Sequence, residues 1–267
     1  MGLKWIDVTD ISINWLLMLQ KKHIDEIPIF CDFKEALGIV LNAHPYILWY
    51  FSNLSPKNKF FFEKLIIENN SKKTAKEIRS AEIKVLESIN DWLVYIYKPE
   101  IYENLSIGKW NDSELHDICD FTGKKVLDIG SGTGRLAFSV AKKARCVYAI
   151  EPVENLRRFL KNKACDMKLK EFYVIDGVLE EIPLEDDFAD VLLAGHVFGD
   201  YPEKEYNEMQ RVTRKNGMII LFPGNNDINN PTHDFLIKKG FEWKRFEEPG
   251  DGKKRAYWKK NEKLGGQ

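Results

Sequence analysis

Val126-Leu127-Asp128-Ile129-Gly130-Ser131-Gly132-Thr133-Gly134 decides how this chain is read. A short apolar run breaks into three glycines at alternate positions, and an amphipathic helical pattern follows at once, from Arg135 to Lys143. A strand that ends in such a loop and re-enters a helix brings bare backbone N–H groups against a ligand that side chains would otherwise block. The next apolar run, Cys146 to Ile150, closes on Glu151, about one βα unit later. An acid at that distance can accept both hydroxyls of a ribose. Loop and acid together point to an adenosine-containing cofactor.

Working outward, the texture after Trp110 alternates. Apolar runs at 125–130, 146–150, 171–175, 189–195 and 217–222 are separated by helical patterns at 134–143, 153–166 and 202–213. Strands alternating with helices imply parallel βαβ units. The link from Asp176 to Asp190 is too short and acidic for a full helix, so one crossover is expected to shrink to a turn. A helix candidate (231–239) and two late strand candidates (241–246 and 254–259) complete the pattern, joined by the hairpin chemistry of Pro249-Gly250-Asp251-Gly252. The expected fold class is therefore α/β: a doubly wound, mostly parallel sheet of seven strands, with one antiparallel strand near the C-terminal edge.

The first hundred residues differ. Of 17 glycines only Gly2 and Gly38 precede residue 108. Ser55-Pro56 sets a cap before an N1 proline, and Thr74-Ala75-Lys76-Glu77 is a capping box. Ile78, Val85, Leu86, Ile89, Trp92, Leu93 and Ile96 then follow at helical spacing. Asp32 to Glu35 repeats the cap logic before Ala36, Leu37 and Val40. Tyr46, Trp49, Tyr50, Phe51, Phe60, Phe61 and Phe62 are expected to pack a small helical core; a lid over a substrate cleft is the sharper use of such rings. This predicts an all-helical domain over residues 1–109, packed over the strand C-termini of a second domain over 110–267.

Composition limits the partners. Lysine and arginine (40) nearly balance aspartate and glutamate (41), so no global field draws in nucleic acid or acidic lipid. Cys31, Cys119, Cys146 and Cys165 form no C-x-x-C pair and are too scattered for a disulfide frame, and Cys146 belongs to a strand core. Trp15 to Leu19 is an apolar run far too short for a signal core or a membrane span. A soluble protein of a reducing compartment, the cytoplasm, is expected. His23, His44, His116 and His233 share no metal-ligand spacing, so no metal is expected. Lys253, Lys254, Arg255, Lys259 and Lys260 suggest a solvated edge strand, because lysine guards edges against association.

Four stretches in order resemble the class I S-adenosylmethionine-dependent methyltransferases, and among them the small-molecule and quinone-type group. They are VLDIGSGTG (126–134), YAIEP (148–152), VIDG (174–177) with IPLEDDFADVLLAGHVFG (182–199), and RVTRKNGMIILFPG (211–224). Lys215-Asn216-Gly217 stands where that family usually has a Lys-Pro-Gly-Gly turn. The resemblance covers about 120–245 and implies S-adenosylmethionine as cofactor, S-adenosylhomocysteine as product and a small-molecule methyl acceptor. It implies that Asp128 orients the loop and meets the cofactor's amino group. Gly130, Ser131, Gly132, Thr133 and Gly134 then border the methionine part, Glu151 holds the ribose, and Pro152 and Val153 flank the adenine. Asp176, Gly177 and Val178 face the adenine edge.

Arg135, in the first helical turn, runs against the helix dipole; it either meets the cofactor's carboxylate or lies solvated. Gly195 and Gly199 allow close backbone approach at the carboxyl end of the fourth strand. Between them His196, with Asp200 as competitor, is the candidate general base, unless it lines the pocket by its backbone alone. Two rival functions remain open. One is a cofactor-binding but non-catalytic protein that recognises a partner through its helical region. The other is an NAD-dependent oxidoreductase, whose fingerprint wants a glycine or alanine where Arg135 stands.

Overall fold

Alternation of side chains along each strand builds the sheet from both faces. The computed structural model describes residues 6–104, 111–224, 226–250 and 252–262. It divides into two compact units, residues 1–101 and 102–267. The expected domain boundary at 109/110 lies outside the described residues.

In the second unit the described strands are β1 (Lys125–Ile129), β2 (Cys146–Ile150), β3 (Phe172–Ile175), β4 (Ala189–Gly195), β5 (Thr213–Phe222), β6 (Glu242–Glu248) and β7 (Gly252–Lys260). They form one sheet in the order β3-β2-β1-β4-β5-β7-β6. β1 to β5 pair in parallel, and β7 is antiparallel to both neighbours. Along β1, Val126 joins one buried cluster with Val147, Val191 and Ile220, against Leu136, Ala137 and Val140. Leu127 and Ile129 join the other with Leu192, Ile219 and Leu221, against Met209, Val212 and Leu236. A strand buried on both faces reads as a continuous apolar run, which is why these segments stood out.

No helix lies between β3 and β4 among the described residues; an isolated bridge, Val178 to Glu181, takes its place, as the short acidic link implied. The expectation of a solvated edge strand at 253–260 is corrected. β7 sits between β5 and β6, and the edge strand is β6. Lys254 and Arg255 are buried. Lys254 donates to Asn226 and Arg255 to Asp227 and Asn229, so one acid and two amides partner what the sequence showed as an exposed basic run. β5 also starts earlier than expected, at Thr213. Asn216, at φ +61°, bulges out of the strand and exchanges backbone hydrogen bonds with Asn261 through its own N–H and the Gly217 carbonyl.

The first unit is helical throughout its described regular structure: α1 (Lys21–Phe30), α2 (Lys34–Ala43), α3 (Pro45–Leu54), α4 (Lys59–Glu68), α5 (Ala75–Ser88) and α6 (Asn90–Tyr97), with 3-10 turns at Ile13–Met18 and Pro56–Asn58. The α5 capping box forms as expected, Thr74 N–H donating to Glu77 and Glu77 N–H to Thr74 Oγ1. The long periodic helix through Ile96 is corrected: it breaks at Ile89, and buried Asn90 instead bonds the backbone N–H and carbonyl of Ile6. One cap expectation fails: Phe33, not Asp32, holds the cap position of α2. Ser55 does sit at the cap position before Pro56 of the 3-10 turn, but its hydroxyl donates to Asp25 rather than accepting from that turn. Phe51 and Phe62 are core rings, whereas Trp49 and Phe60 are exposed.

Candidate functional site at the strand carboxyl ends

The remaining helices of the second unit are α8 (Ser113–His116), α9 (Arg135–Val140), α10 (Glu154–Asp166), α11 (Pro202–Val212) and α12 (Pro231–Lys238), with α7 (Pro99–Glu103) crossing from the first unit into the second. Between β1 and α9 the chain turns through left-handed backbone at Gly130, Gly132 and Gly134, with φ of +64°, +55° and +88°. A Cβ on Gly130 would fall 2.3 Å from Val197 Cγ1. The turn is fastened to β2, because the N–H groups of Gly130 and Ser131 both donate to the Ile150 carbonyl, at 2.8 and 3.1 Å.

Two acids meet this loop. Asp128 is buried, and its Oδ2 accepts from Ala137 N–H at 3.1 Å. Burial raises its carboxyl from the ordinary 3.8 to about 7, against the lowering effect of the Ser131 and Ala137 donors; the nearby charge of Glu151 adds to the rise. Glu151, also buried, follows β2. Its Oε2 accepts from Gly132 N–H and its Oε1 from Val153 N–H, each at 2.9 Å. Loop and acid are thus joined directly, although nineteen residues separate them.

Arg157, on α10, organises the next stretch and was not singled out in the sequence. Its Nη1 donates to the carbonyls of Glu151 and Pro152 and to Asp176 Oδ1, at 2.9, 2.7 and 3.0 Å. The guanidinium therefore ties the end of β2 to the end of β3. Asp176 itself is exposed, Gly177 and Val178 are half-buried, and Val153 is buried.

On the other side of the loop lies a cleft of about 600 Å³, its open mouth included. Asp128, Gly130, Ser131, Gly132, Thr133, Arg135, Gly195 and His196 line it together. Glu151, Pro152, Val153, Asp176, Gly177 and Val178 do not; Gly134 lines a neighbouring polar hollow with Lys163 and Glu103, which pair with each other. Tyr102, Leu136, Phe222, Phe246 and Glu248 complete the cleft wall, and sequence reasoning missed all five. Nothing local distinguishes buried Glu248 from exposed Glu247 beside it.

His196 follows β4 with φ +59°, and its N–H donates to the Phe222 carbonyl at 2.8 Å. Its Nε2 stands 4.0 Å from Glu248 Oε2. Asp200, the competing base, is exposed and lies outside the cleft lining. Arg135 Nη1 is 2.5 Å from Asp112 Oδ1, so an acid of the chain itself offsets the unfavourable dipole position. Cys31, Cys119 and Cys146 are buried and Cys165 is exposed, all as thiols. Among the described residues no three His, Cys, Asp or Glu side chains gather as a metal centre requires. Among them, too, no helix is long and apolar enough to cross a membrane.

The sheet order, with an antiparallel strand inserted beside β5, departs from the 3-2-1-4-5-6 order of dinucleotide-binding sheets. Together with the glycine loop and the acid after β2, it defines the fold of the class I S-adenosylmethionine-dependent methyltransferases. Residues 127–221 match the family model described as a methyltransferase domain. An uncharacterized methyltransferase of Anoxybacillus flavithermus is 27% identical over 135 residues, 48% of this chain and 61% of the relative. One of Mycobacterium bovis is 29% identical over 99 residues, 37% of this chain and 39% of the relative. The chain thus spans less than two thirds of the length of these curated relatives. Among solved structures, a SAM-dependent methyltransferase from Aquifex aeolicus aligns with a TM-score of 0.49 at 21% identity, over 60% of this chain and 95% of that one.

Proposed function

We propose that this chain transfers a methyl group from S-adenosylmethionine to a small organic acceptor. The observation that carries the reading is the 2.9 Å bond from Gly132 N–H to Glu151 Oε2, which puts the ribose-type acid against the glycine loop. The residues suit the cofactor on their own chemistry. Left-handed glycines leave backbone open to a ligand, and a buried carboxyl, that of Asp128, stands in a cleft whose remaining walls are largely apolar.

In this reading Asp128, Gly130, Ser131, Gly132, Thr133 and Gly134 hold the methionine half. Each oxygen of Glu151 accepts one backbone N–H, and the carboxylate takes the ribose hydroxyls. Pro152 and Val153 flank the adenine. Asp176 accepts from its exocyclic amine, Gly177 N–H donates to the ring, and Val178 packs beside them. Arg157 holds the two acidic segments at a fixed separation. Arg135, Gly195 and His196 border the methyl-transfer end.

When bound, S-adenosylmethionine supplies an electrophilic methyl carried on a sulfonium. The chain aligns an acceptor with that methyl and keeps water out. His196 takes a proton from the acceptor where one must leave. Isothermal titration with S-adenosylmethionine and S-adenosylhomocysteine tests the reading. Micromolar binding of either is expected, and no heat from both at high micromolar concentration overturns it.

A further inference from the structure

We propose that the methyl acceptor is an amine, and that Glu248 and His196 together hold its nitrogen. The inference rests on the methyl-transfer reading above and gives that reading its substrate class. His196 Nε2 and Glu248 Oε2 face the same cleft 4.0 Å apart. That gap is too long for a direct hydrogen bond, yet one small polar group can sit about 2.8 Å from both atoms. A nitrogen carrying two or three protons can donate to both at once, whereas a hydroxyl bridges them only by accepting from the Nε2–H tautomer of His196, which then cannot take its proton.

The surroundings select the charge as well. The Glu248 side chain is only 4% exposed, and Tyr102, Phe222 and Phe246 bring aromatic surface to the same cleft. A buried carboxylate favours an ammonium through charge-assisted hydrogen bonds, and ring faces add cation–π attraction. Phe246 meets Phe222 edge-on, centroids 5.5 Å apart, which braces this wall.

The pair is held by devices from three strand ends. His196 keeps a left-handed backbone, which is unfavourable for a side chain with a Cβ and is typical of functional positions. Its imidazole lies against Gly224, where a Cβ would fall 2.5 Å from Nδ1, so only glycine leaves room for the ring there. Glu248 arrives on the last residue of β6. Among the described residues the other ionisable groups on this cleft are Asp128, Tyr102 and Arg135, the last paired with Asp112; Asp200 lies four residues beyond His196.

The step balances as follows. One N–H proton passes to His196 Nε2, leaving a nitrogen lone pair. That pair forms the N–CH3 bond as the S–CH3 bond breaks, and the bonding electrons of the latter stay on sulfur. Glu248 faces the imidazolium, which then releases its proton to solvent.

Phenethylamine and phenethyl alcohol, titrated calorimetrically into the full chain with and without S-adenosylhomocysteine, test the site. The amine is expected to bind at least 10-fold more tightly than the alcohol. In Glu248→Gln that preference is expected to fall at least 10-fold, with alcohol binding little changed; His196→Gln gives a second variant should Glu248→Gln fail to fold. Equal affinities in the unaltered protein, or a preference that survives in the folded variants, overturn the proposal. The two readings fail separately: absent S-adenosylhomocysteine binding sinks the cofactor, while cofactor binding without an amine preference sinks only the acceptor.

Discussion

β1 to β3 and β4 to β7 present different kinds of chemistry at the same edge of one sheet. At the ends of β1 to β3 the functional groups are backbone N–H donors and acids within a few residues of a strand terminus: Gly130, Gly132, Glu151 and Asp176. At the ends of β4 to β7 they are side chains far apart in sequence: His196, Phe222, Phe246 and Glu248. The first half is a local device, repeated at each βα turn. The second exists only when β4, β5, β7 and β6 register against one another. A binding site for a constant cofactor suits the first construction, and one for a particular acceptor suits the second.

The largest expected effect lies in the first half. Glu151→Ala removes the ribose acceptor and the Gly132 bond together, and two hydrogen bonds to a charged group amount to about 3 kcal/mol. S-adenosylhomocysteine affinity should fall roughly 100-fold by calorimetry; a drop of less than threefold would break the assignment of that acid.

Next come the glycines. Gly130→Ala meets Val197 at 2.3 Å and keeps φ +64°, whereas Gly123→Ala has φ +70° and nothing within 4 Å of its Cβ. Backbone strain alone is about 1–2 kcal/mol. Denaturant midpoints should show Gly130→Ala destabilised by about 2 kcal/mol more than Gly123→Ala. Equal losses would mean that the loop is not packed against the β4 end.

The pH dependence of stability tests Asp128. Its carboxyl sits at about 7 in the fold, above the ordinary 3.8, so the folded state holds a proton that the unfolded chain has lost. Stability therefore falls as pH rises through this window, from about 4 to about 7, and the loss persists above it. Asp128→Asn lacks the titration, and its stability relative to the unaltered protein should rise over that window. Parallel stability curves for the two proteins would remove the buried carboxyl from the account.

The smallest effect belongs to the second half. Asn tolerates left-handed backbone better than His, so His196→Asn should gain about 0.5 kcal/mol of stability while impairing methyl transfer to a proton-bearing acceptor. A destabilised variant would show that the imidazole's packing on Gly224 outweighs the backbone strain.

How much was legible follows the same division. Three alternate glycines after an apolar run, and an acid at the next strand end, are signals inside one βα unit, so the glycine loop and the position of Glu151 could be read directly. The reduced crossover after Asp176 was legible because the link to Asp190 is too short and too acidic for a full helix. Glu248 was not, since Glu247 beside it is the same residue type and burial is set by neighbours distant in sequence. Lys254 and Arg255 misled for the same reason: a basic run looks solvated until Asn226, Asp227 and Asn229 are brought to it. Arg157 was hidden because its three acceptors come from two different strand ends.

The sequence by itself determined the alternation of strands and helices, the left-handed turn after β1 and the acid that ends β2, because propensity and backbone sterics act over a few residues. Only the tertiary structure decided that β7 lies inside the sheet, that Asp128 is buried enough to hold a proton near neutrality, and that His196 and Glu248 share one cleft. Those facts depend on which distant segments exclude water from each other, and that exclusion is a property of the packed sheet rather than of any stretch of chain.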